Sequence, residues 1–421
     1  MNKILNIWKI ADIRNKVLVV TGLLFFFRIL SSIPLPGVDL LKLKALLASN
    51  QLLGFLNVFS GGSLDNLSIV MMGVGPYITA TIIMQLLTMI FPNLKKLYYE
   101  EGAIGRAKFN RISRYITVPL AALQSYGFLN LLNQQQVFTD FSFNTVITSV
   151  IVATAGSMIL VWLGELISEQ KIGNGTSLII FAGICAGLPQ ALKQLILTYD
   201  VSLLATYIVF GIVAILVIAG VVFVTEGERK IPISYARQAR DGKTGSVDTY
   251  LPLKVNQAGV IPIIFAISIL LFPQFIAQIT GAFNPSLGNT LNSIVNPILN
   301  NQIIYAALYF ILVILFTYFY TSITFEPKEV ALNLQRSSGF VPGIRPGEPT
   351  KEYLESIVSK ITLFGSVFLG LIAILPLVIQ YFANTNILTI GGTTLLIVVS
   401  VALDSMRQID SQLVMREYEV V

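Results

Sequence analysis

The chain has 421 residues, is 54% hydrophobic and only 12% charged, and has a mean hydropathy of +0.76. Soluble domains carry about 25% charged residues, so this composition excludes an ordinary water-soluble globule and predicts apolar surface facing lipid as well as a core. The net charge of +6 lies in the gaps between apolar runs, where it points to anionic lipid head groups or an acidic or phosphorylated partner rather than to nucleic acid.

A helix needs about 20 apolar residues to cross a bilayer core. Ten such segments are predicted, at about 17–33, 66–91, 115–132, 145–165, 176–197, 203–225, 255–277, 303–324, 361–382 and 387–403. The start, MNKILNIWKIADIRNK, carries no small-residue cleavage pattern, so the first run is read as a retained helix and not a removed signal peptide. The stretch 34–65 opens on Pro34 and Pro36 and holds Phe55-Leu-Asn-Val-Phe59, then Ser60-Gly-Gly-Ser63. Its apolar part is too short to span and too greasy for a solvated loop. It is expected to be a re-entrant segment or short internal helix, with an interfacial amphipathic piece as the alternative.

The second segment carries Gly73, Gly75 and Pro76, the third Pro119, the seventh Pro262 and the ninth Pro376. Such residues survive in a membrane where neighbouring helices or a water-filled cavity satisfy the freed backbone groups. Ordinary packing is one reading. The other is that segments two and seven bend around a pathway. Two gaps, 226–254 and 325–360, are polar, rich in Gly and Pro, and too long for simple connectors.

Basic residues crowd every second gap. Of the 28 Lys and Arg, only Arg28, Lys42, Lys44 and Lys193 break the alternation. The pattern places both termini and the two long loops on the cytoplasmic side. Five segments per half imply inverted halves, 1–200 and 201–421, with a site expected at their interface.

The chain contains no histidine and a single cysteine, Cys185. That removes His-based catalysis, His-ligated metal and an intrachain disulfide. No acidic residue lies mid-segment, which disfavours an ion-coupled transporter. There is no Walker-type phosphate loop and no Ser/His/Asp constellation, so no enzyme activity, metal or cofactor is expected. What remains is a channel or scaffold with an apolar centre. Val74, Ile78, Ile180, Ile264 and Ile397 are candidate lining residues, because such side chains can form a constriction that excludes water and ions. On pattern alone, lipid- or helix-facing packing is the stronger reading of them.

Motifs spread over about residues 15–410 carry a resemblance. They are Ser31-Ser-Ile-Pro-Leu-Pro-Gly37, Phe55-Leu-Asn-Val-Phe-Ser-Gly-Gly62, Gly73-Val-Gly-Pro-Tyr-Ile78, Ile82-Ile-Met-Gln-Leu-Leu-Thr88 and Trp162-Leu-Gly-Glu165. Further along come Ile172-Gly-Asn-Gly175, Leu251-Pro-Leu-Lys-Val-Asn256, Ala258-Gly-Val-Ile-Pro262, Phe340-Val-Pro-Gly-Ile-Arg-Pro-Gly-Glu348 and Gly391-Gly-Thr393. In this order they closely resemble the SecY family, the pore subunits of the Sec protein-translocation channel.

The resemblance implies an all-α polytopic membrane protein, with ten helices in two inverted five-helix halves around a central pore. Unfolded secretory chains would pass through it, and membrane segments would leave sideways through a lateral gate. An accessory translocase or insertase of the same fold, with fewer clients, is the alternative. The implied pore ring is Val74, Ile78, Thr176, Ile180, Ile264 and Ile397. The implied plug covers 55–67, with Phe59, Ser60, Gly61, Gly62, Ser63 and Leu64 at its centre. Gln85, Gln124 and Asn256 fall near the implied lateral gate, where hydrogen bonds among them would hold it shut.

Arg229, Lys230, Arg237, Arg240 and Arg345 fall on the implied docking surface for the SecA ATPase or the ribosome. SecE-like and SecG-like small membrane subunits, signal peptides, nascent chains and the lipid bilayer are the other implied partners. The implied location is a bacterial plasma (inner) membrane, with a plastid membrane as alternative. Two departures from the family pattern stand out. The loop after segment two reads Glu101-Gly-Ala-Ile-Gly-Arg-Ala-Lys108 where Glu-Gly-Glu-Ala-Gly-Arg-Arg-Lys is usual, and the C-terminal tail is short.

Overall fold

A computed structural model describes residues 10–36, 38–39, 42–43, 46, 57, 60–138, 142–197, 204–235, 249–383 and 392–419. Thirteen helices and three short strands lie among them. In the first part of the chain these are α1 (Ala11–Ser31), α2 (Gly75–Ile90), α3 (Pro92–Tyr99), α4 (Gly102–Gln134), α5 (Phe143–Glu169), α6 (Gly175–Leu197) and α7 (Leu204–Glu226). The strands β1 (Glu228–Tyr235) and β2 (Thr249–Lys254) follow. The remainder holds α8 (Ile261–Phe283), α9 (Pro285–Asn300), α10 (Gln302–Thr324), α11 (Pro327–Arg336), β3 (Gly339–Phe340), α12 (Glu348–Ala383) and α13 (Gly392–Glu419).

Helix covers part of each apolar segment predicted from sequence. By length and hydropathy, four helices among the described residues are sufficient to cross a membrane: Phe143–Glu169, Tyr207–Glu226, Gln302–Arg336 and Glu348–Ile379. A fifth span results if α2 and α3, which meet at an angle of 112°, count as one broken crossing. Outward side chains are those of a lipid-facing surface: Phe25 is 68% exposed, Ile215 69% and Phe223 76%. Water would not tolerate apolar exposure on that scale.

Helix starts follow local chemistry. Proline occupies the first turn of α2, α3, α8, α9 and α11, where its missing N–H has no partner to lose and its φ is already helical. Asn301 caps α10 by accepting from the N–H groups of Ile303 and Ile304, and Ser142 caps α5 by accepting from Thr145. Two expectations change here, and one helix is added. Pro76 and Pro262 start their helices instead of bending them. Residues 66–74, expected as helix, are a chain of tight turns. The outer gap 278–302 holds α9, which has no charged residue.

Among the described residues the two long loops hold regular structure, and the fold is not purely α. β1 pairs antiparallel with β2, and β3 from the second loop adds to the other edge of β1, giving the order β2-β1-β3. Ile231, Leu253, Val341, Leu354 and Val358 form a small apolar core beneath this sheet. One unit thus joins segments separated by more than eighty residues.

Helices from the two halves of the sequence meet along two seams. On one, α8 packs against α2 and α4; on the other, α13 packs against α6 and α1. Between the seams runs one continuous apolar core to which α1, α2, α5, α6, α7, α8, α10, α12 and α13 contribute.

Candidate functional site

The candidate lining residues are distributed over the seam helices. Val74 caps the N-terminus of α2, Ile180 is on α6, Ile264 on α8 and Ile397 on α13. All four are buried, with exposures of 0%, 1%, 5% and 1%, and all belong to the central apolar core. Ile78 is half-buried against the same core, its N–H bonded to the Val74 carbonyl at 3.1 Å. Thr176 differs: its hydroxyl donates to Asn174 Oδ1 at 2.6 Å, so it serves the N-terminus of α6.

The candidate plug lies directly ahead of α2. Of its named residues, Phe59 lies outside the described residues; Ser60, Gly61, Gly62, Ser63 and Leu64 are described. Ser60, Ser63, Leu64 and Leu67 are each at most 4% exposed. A buried stretch without regular structure must satisfy its own polar groups. Backbone turns supply most of these bonds, and the Ser63 hydroxyl adds to them, lying 2.7 Å from the Ser60 carbonyl and 2.9 Å from the Val70 carbonyl. The N–H of Ser68 donates to Ser63 O, that of Leu35 to Leu67 O, and that of Ile69 to Ile33 O.

Close backbone contact anchors the segment on both sides. Gly61, at φ +71°, adopts a left-handed conformation that glycine takes without strain. A Cβ built at Gly183 of α6 would fall 2.1 Å from Gly61 Cα, and one at Gly61 would fall 2.8 Å from the Phe27 ring of α1. Arg28 Nη1 donates to the Gly61 carbonyl at 3.3 Å. Sequence reasoning missed Phe27, Arg28 and Gly183 as partners of this segment. The one signal available was Arg28 itself, a basic residue out of place in the alternation of charges.

The three candidate gate residues are near the α8 seam but do not bond one another among the described residues. Asn256 Nδ2 donates at 3.3 Å to Gly259 O in its own turn, because that carbonyl is the nearest acceptor as the chain enters α8. Gln85 on α2 and Asn256 are both buried, and Gln85 Oε1 and Asn256 Oδ1 have no partner among the described residues. Gln124 is half-buried on α4. The expectation of a shared polar clasp is therefore not met. Across the seam Ile82 of α2 shares the central apolar core with Ile263, Ile264 and Ile267 of α8, while Phe265 of α8 is edge-on to Phe316 and Tyr320 of α10 within its own half.

Arg229 and Lys230 are exposed on β1, where Lys230 Nζ lies 4.7 Å above the Tyr250 ring. Arg237 and Arg240 lie outside the described residues. Arg345 is exposed in the turn after β3, and its carbonyl accepts from the Thr350 hydroxyl at 2.8 Å. Lys351 Nζ bonds Glu348 at 2.6 Å and holds that carboxyl below its ordinary pKa. Among the described residues no group of His, Cys, Asp and Glu could hold a metal ion.

Residues 68–406 match the family profile described as SecY. The chain is 40% identical over 430 residues to the protein translocase subunit SecY of Mycobacterium tuberculosis (strain ATCC 25618 / H37Rv), covering 97% of each chain. The chain belongs to the SecY family. It is also 40% identical to the SecY subunit of Porphyra purpurea, over 97% of this chain and 98% of that one. A solved protein-conducting channel superimposes with a TM-score of 0.63 at 21% identity, covering 94% of this chain and 91% of that chain. A solved SecY, whose plug domain stabilizes the closed state of its channel, superimposes at 0.64 with 22% identity, covering 93% and 90%. At those identities the structural matches speak for the fold. In this SecY-family chain the turn-rich stretch ahead of α2 packs beside the residues that the resemblance assigned to a pore.

Proposed function

We propose that this chain is the pore-forming subunit of a protein-translocation channel. It passes unfolded secretory polypeptides across the membrane and releases apolar segments sideways into lipid. The observation that carries this reading is the placement of Val74, Ile180, Ile264 and Ile397. Each sits on a helix that meets the other half of the chain, and together they belong to an apolar core that holds no buried charge among the described residues. Aliphatic side chains make dispersion contacts without directional bonds, so they can close around a moving peptide irrespective of its sequence. In the resting state the same side chains exclude water and ions.

In this reading all ten apolar segments span the membrane as two inverted five-helix halves, with 55–67 as plug and Val74, Ile78, Ile180, Ile264 and Ile397 as ring. Thr176 stands at the cytoplasmic edge of that ring. The seam between α8 and the α2/α4 pair is the lateral gate. Gln85 Oε1 and Asn256 Oδ1 are the acceptors there that an entering segment would satisfy. The β2-β1-β3 sheet, with Arg229, Lys230 and Arg345, receives the machine that feeds the pore, a SecA-type ATPase or a ribosome. A relative solved in a canine ribosome–channel complex supports the second partner. Small SecE-like and SecG-like subunits would complete the assembly in a bacterial inner membrane, with both termini cytoplasmic.

A photoreactive probe at Ile264 tests the reading. A secretory chain stalled during export should crosslink to it. Adducts with one specialised client but none with general secretory chains would favour a narrow insertase instead.

A further inference from the structure

Arg28 is a cation on α1, a helix that otherwise presents apolar side chains over most of its length. Burying part of a guanidinium in such surroundings is costly without a partner. Its partner is the plug: Nη1 donates to the Gly61 carbonyl at 3.3 Å. A Cβ built at Gly62 would lie 3.7 Å from Arg28 Nη1, 3.7 Å from the Gly183 carbonyl and 4.0 Å from Asp65 Oδ2. The guanidinium, the α6 backbone and the Asp65 carboxylate therefore surround the same tight turn. Asp65 is oriented in turn by Asn57, whose Nδ2 donates to Oδ1 at 2.8 Å.

We propose that Arg28 is a positioning residue that latches the plug shut, acting on the Gly61 carbonyl and the charge of Asp65. This rests on the channel reading above. The glycine pair Gly61 and Gly183 brings the plug backbone against α6 and so within reach of Arg28. Displacing the plug separates the turn from both helices at once. The latch is electrostatic, so a neutral side chain of similar size should weaken it and a lysine should partly restore it.

The channel complex, purified from its native membrane and reconstituted in vesicles loaded with a halide-sensitive dye, gives the readout. Arg28→Gln should raise resting chloride influx and let precursors with defective signal sequences through. The expected shift in the open-to-closed ratio is about tenfold or more, the factor one hydrogen bond to a charged group supports. Arg28→Lys should return influx toward wild type. Asp65→Asn should raise influx in the same direction, and the double variant should fall short of the two effects combined, as residues of one network do. Should Arg28→Gln fail to accumulate, Asp65→Asn with Arg28→Lys carries the test. Wild-type influx in the neutral variants, or fully additive effects, overturns the latch. Absence of precursor transport by the wild-type vesicles with their motor overturns the channel reading itself, and the latch with it.

Discussion

At the residue scale, the apolar centre works because it has nothing polar to offer. A single polar side chain there changes the resting state more than it changes the fold. Ile397→Asn places an amide where the residue is 1% exposed, at a cost of roughly 1–3 kcal/mol unless water enters to satisfy it. In the proposed reading, water entry there opens the pore. The expected outcome is increased ion leak and export of precursors with weakened signal sequences, measured in vesicles and in cells. Unchanged leak with unchanged signal stringency would remove Ile397 from the ring. Arg345 is the opposite case. It is exposed and, among the described residues, is bonded through its carbonyl alone, so the guanidinium itself stabilises little. Arg345→Glu should leave the thermal unfolding midpoint within experimental error and slow translocation severely. Normal export rates would argue that the charge is idle.

At the scale of elements, two short structures matter more than their length suggests. The first is the stretch 60–74, which replaces helical hydrogen bonding with turns tied together by Ser63. Ser63→Ala removes the one hydroxyl proton that the Ser60 and Val70 carbonyls share; Val70 O keeps the Gly73 N–H, so the loss falls mainly on Ser60 O, at about 1–3 kcal/mol. The closed state should lose stability in proportion, read as faster resting influx, while the helices keep their circular dichroism. The second is the three-stranded sheet on the proposed docking face. Ile231 is 2% exposed at the centre of its small core. Ile231→Asp puts a charge there, a penalty of at least about 3 kcal/mol. The sheet should become protease-sensitive and motor binding should fall, with the membrane-embedded part still intact. Retained binding would mean the partner does not read this sheet.

At the scale of the whole molecule, the C-terminal part of the last helix connects the two halves of the chain. Gln412 of α13 accepts from Lys16 Nζ of α1 at 2.9 Å, and its Nε2 donates to the Lys171 carbonyl between α5 and α6. One turn earlier, Arg407 pairs with Glu226 at 2.8 Å and donates to the Thr225 carbonyl of α7. These bonds tie α13 to both halves at one end. Gln412→Leu should lower stability in detergent by about 1–3 kcal/mol, seen as a lower unfolding midpoint. A midpoint equal to wild type would mean that apolar contacts alone hold this seam. Docking to ribosomal RNA, if the ribosome is the partner, should weaken steeply as salt rises, because each neutralised phosphate releases a counterion.

What the sequence determined by itself was the environment and the order of elements. Hydropathy runs and the alternation of Lys and Arg follow from solvation in lipid and from the side on which each loop stays, and these are local properties of the chain. The family was legible for the same reason, since its motifs occur in order along nearly the whole length. Tertiary structure decided which of those elements touch. Only packing could bring β3 beside β1, turn Asn256 onto Gly259 instead of a gate partner, or bring Gly61 against Gly183 and Arg28 across the core. Apart from Asn256 and Gly259, which are three positions apart, those contacts join residues from about 30 to more than 120 positions apart, and a linear pattern carries no distance of that kind. The misplaced charge at Arg28 was visible from the start; the carbonyl it holds was not.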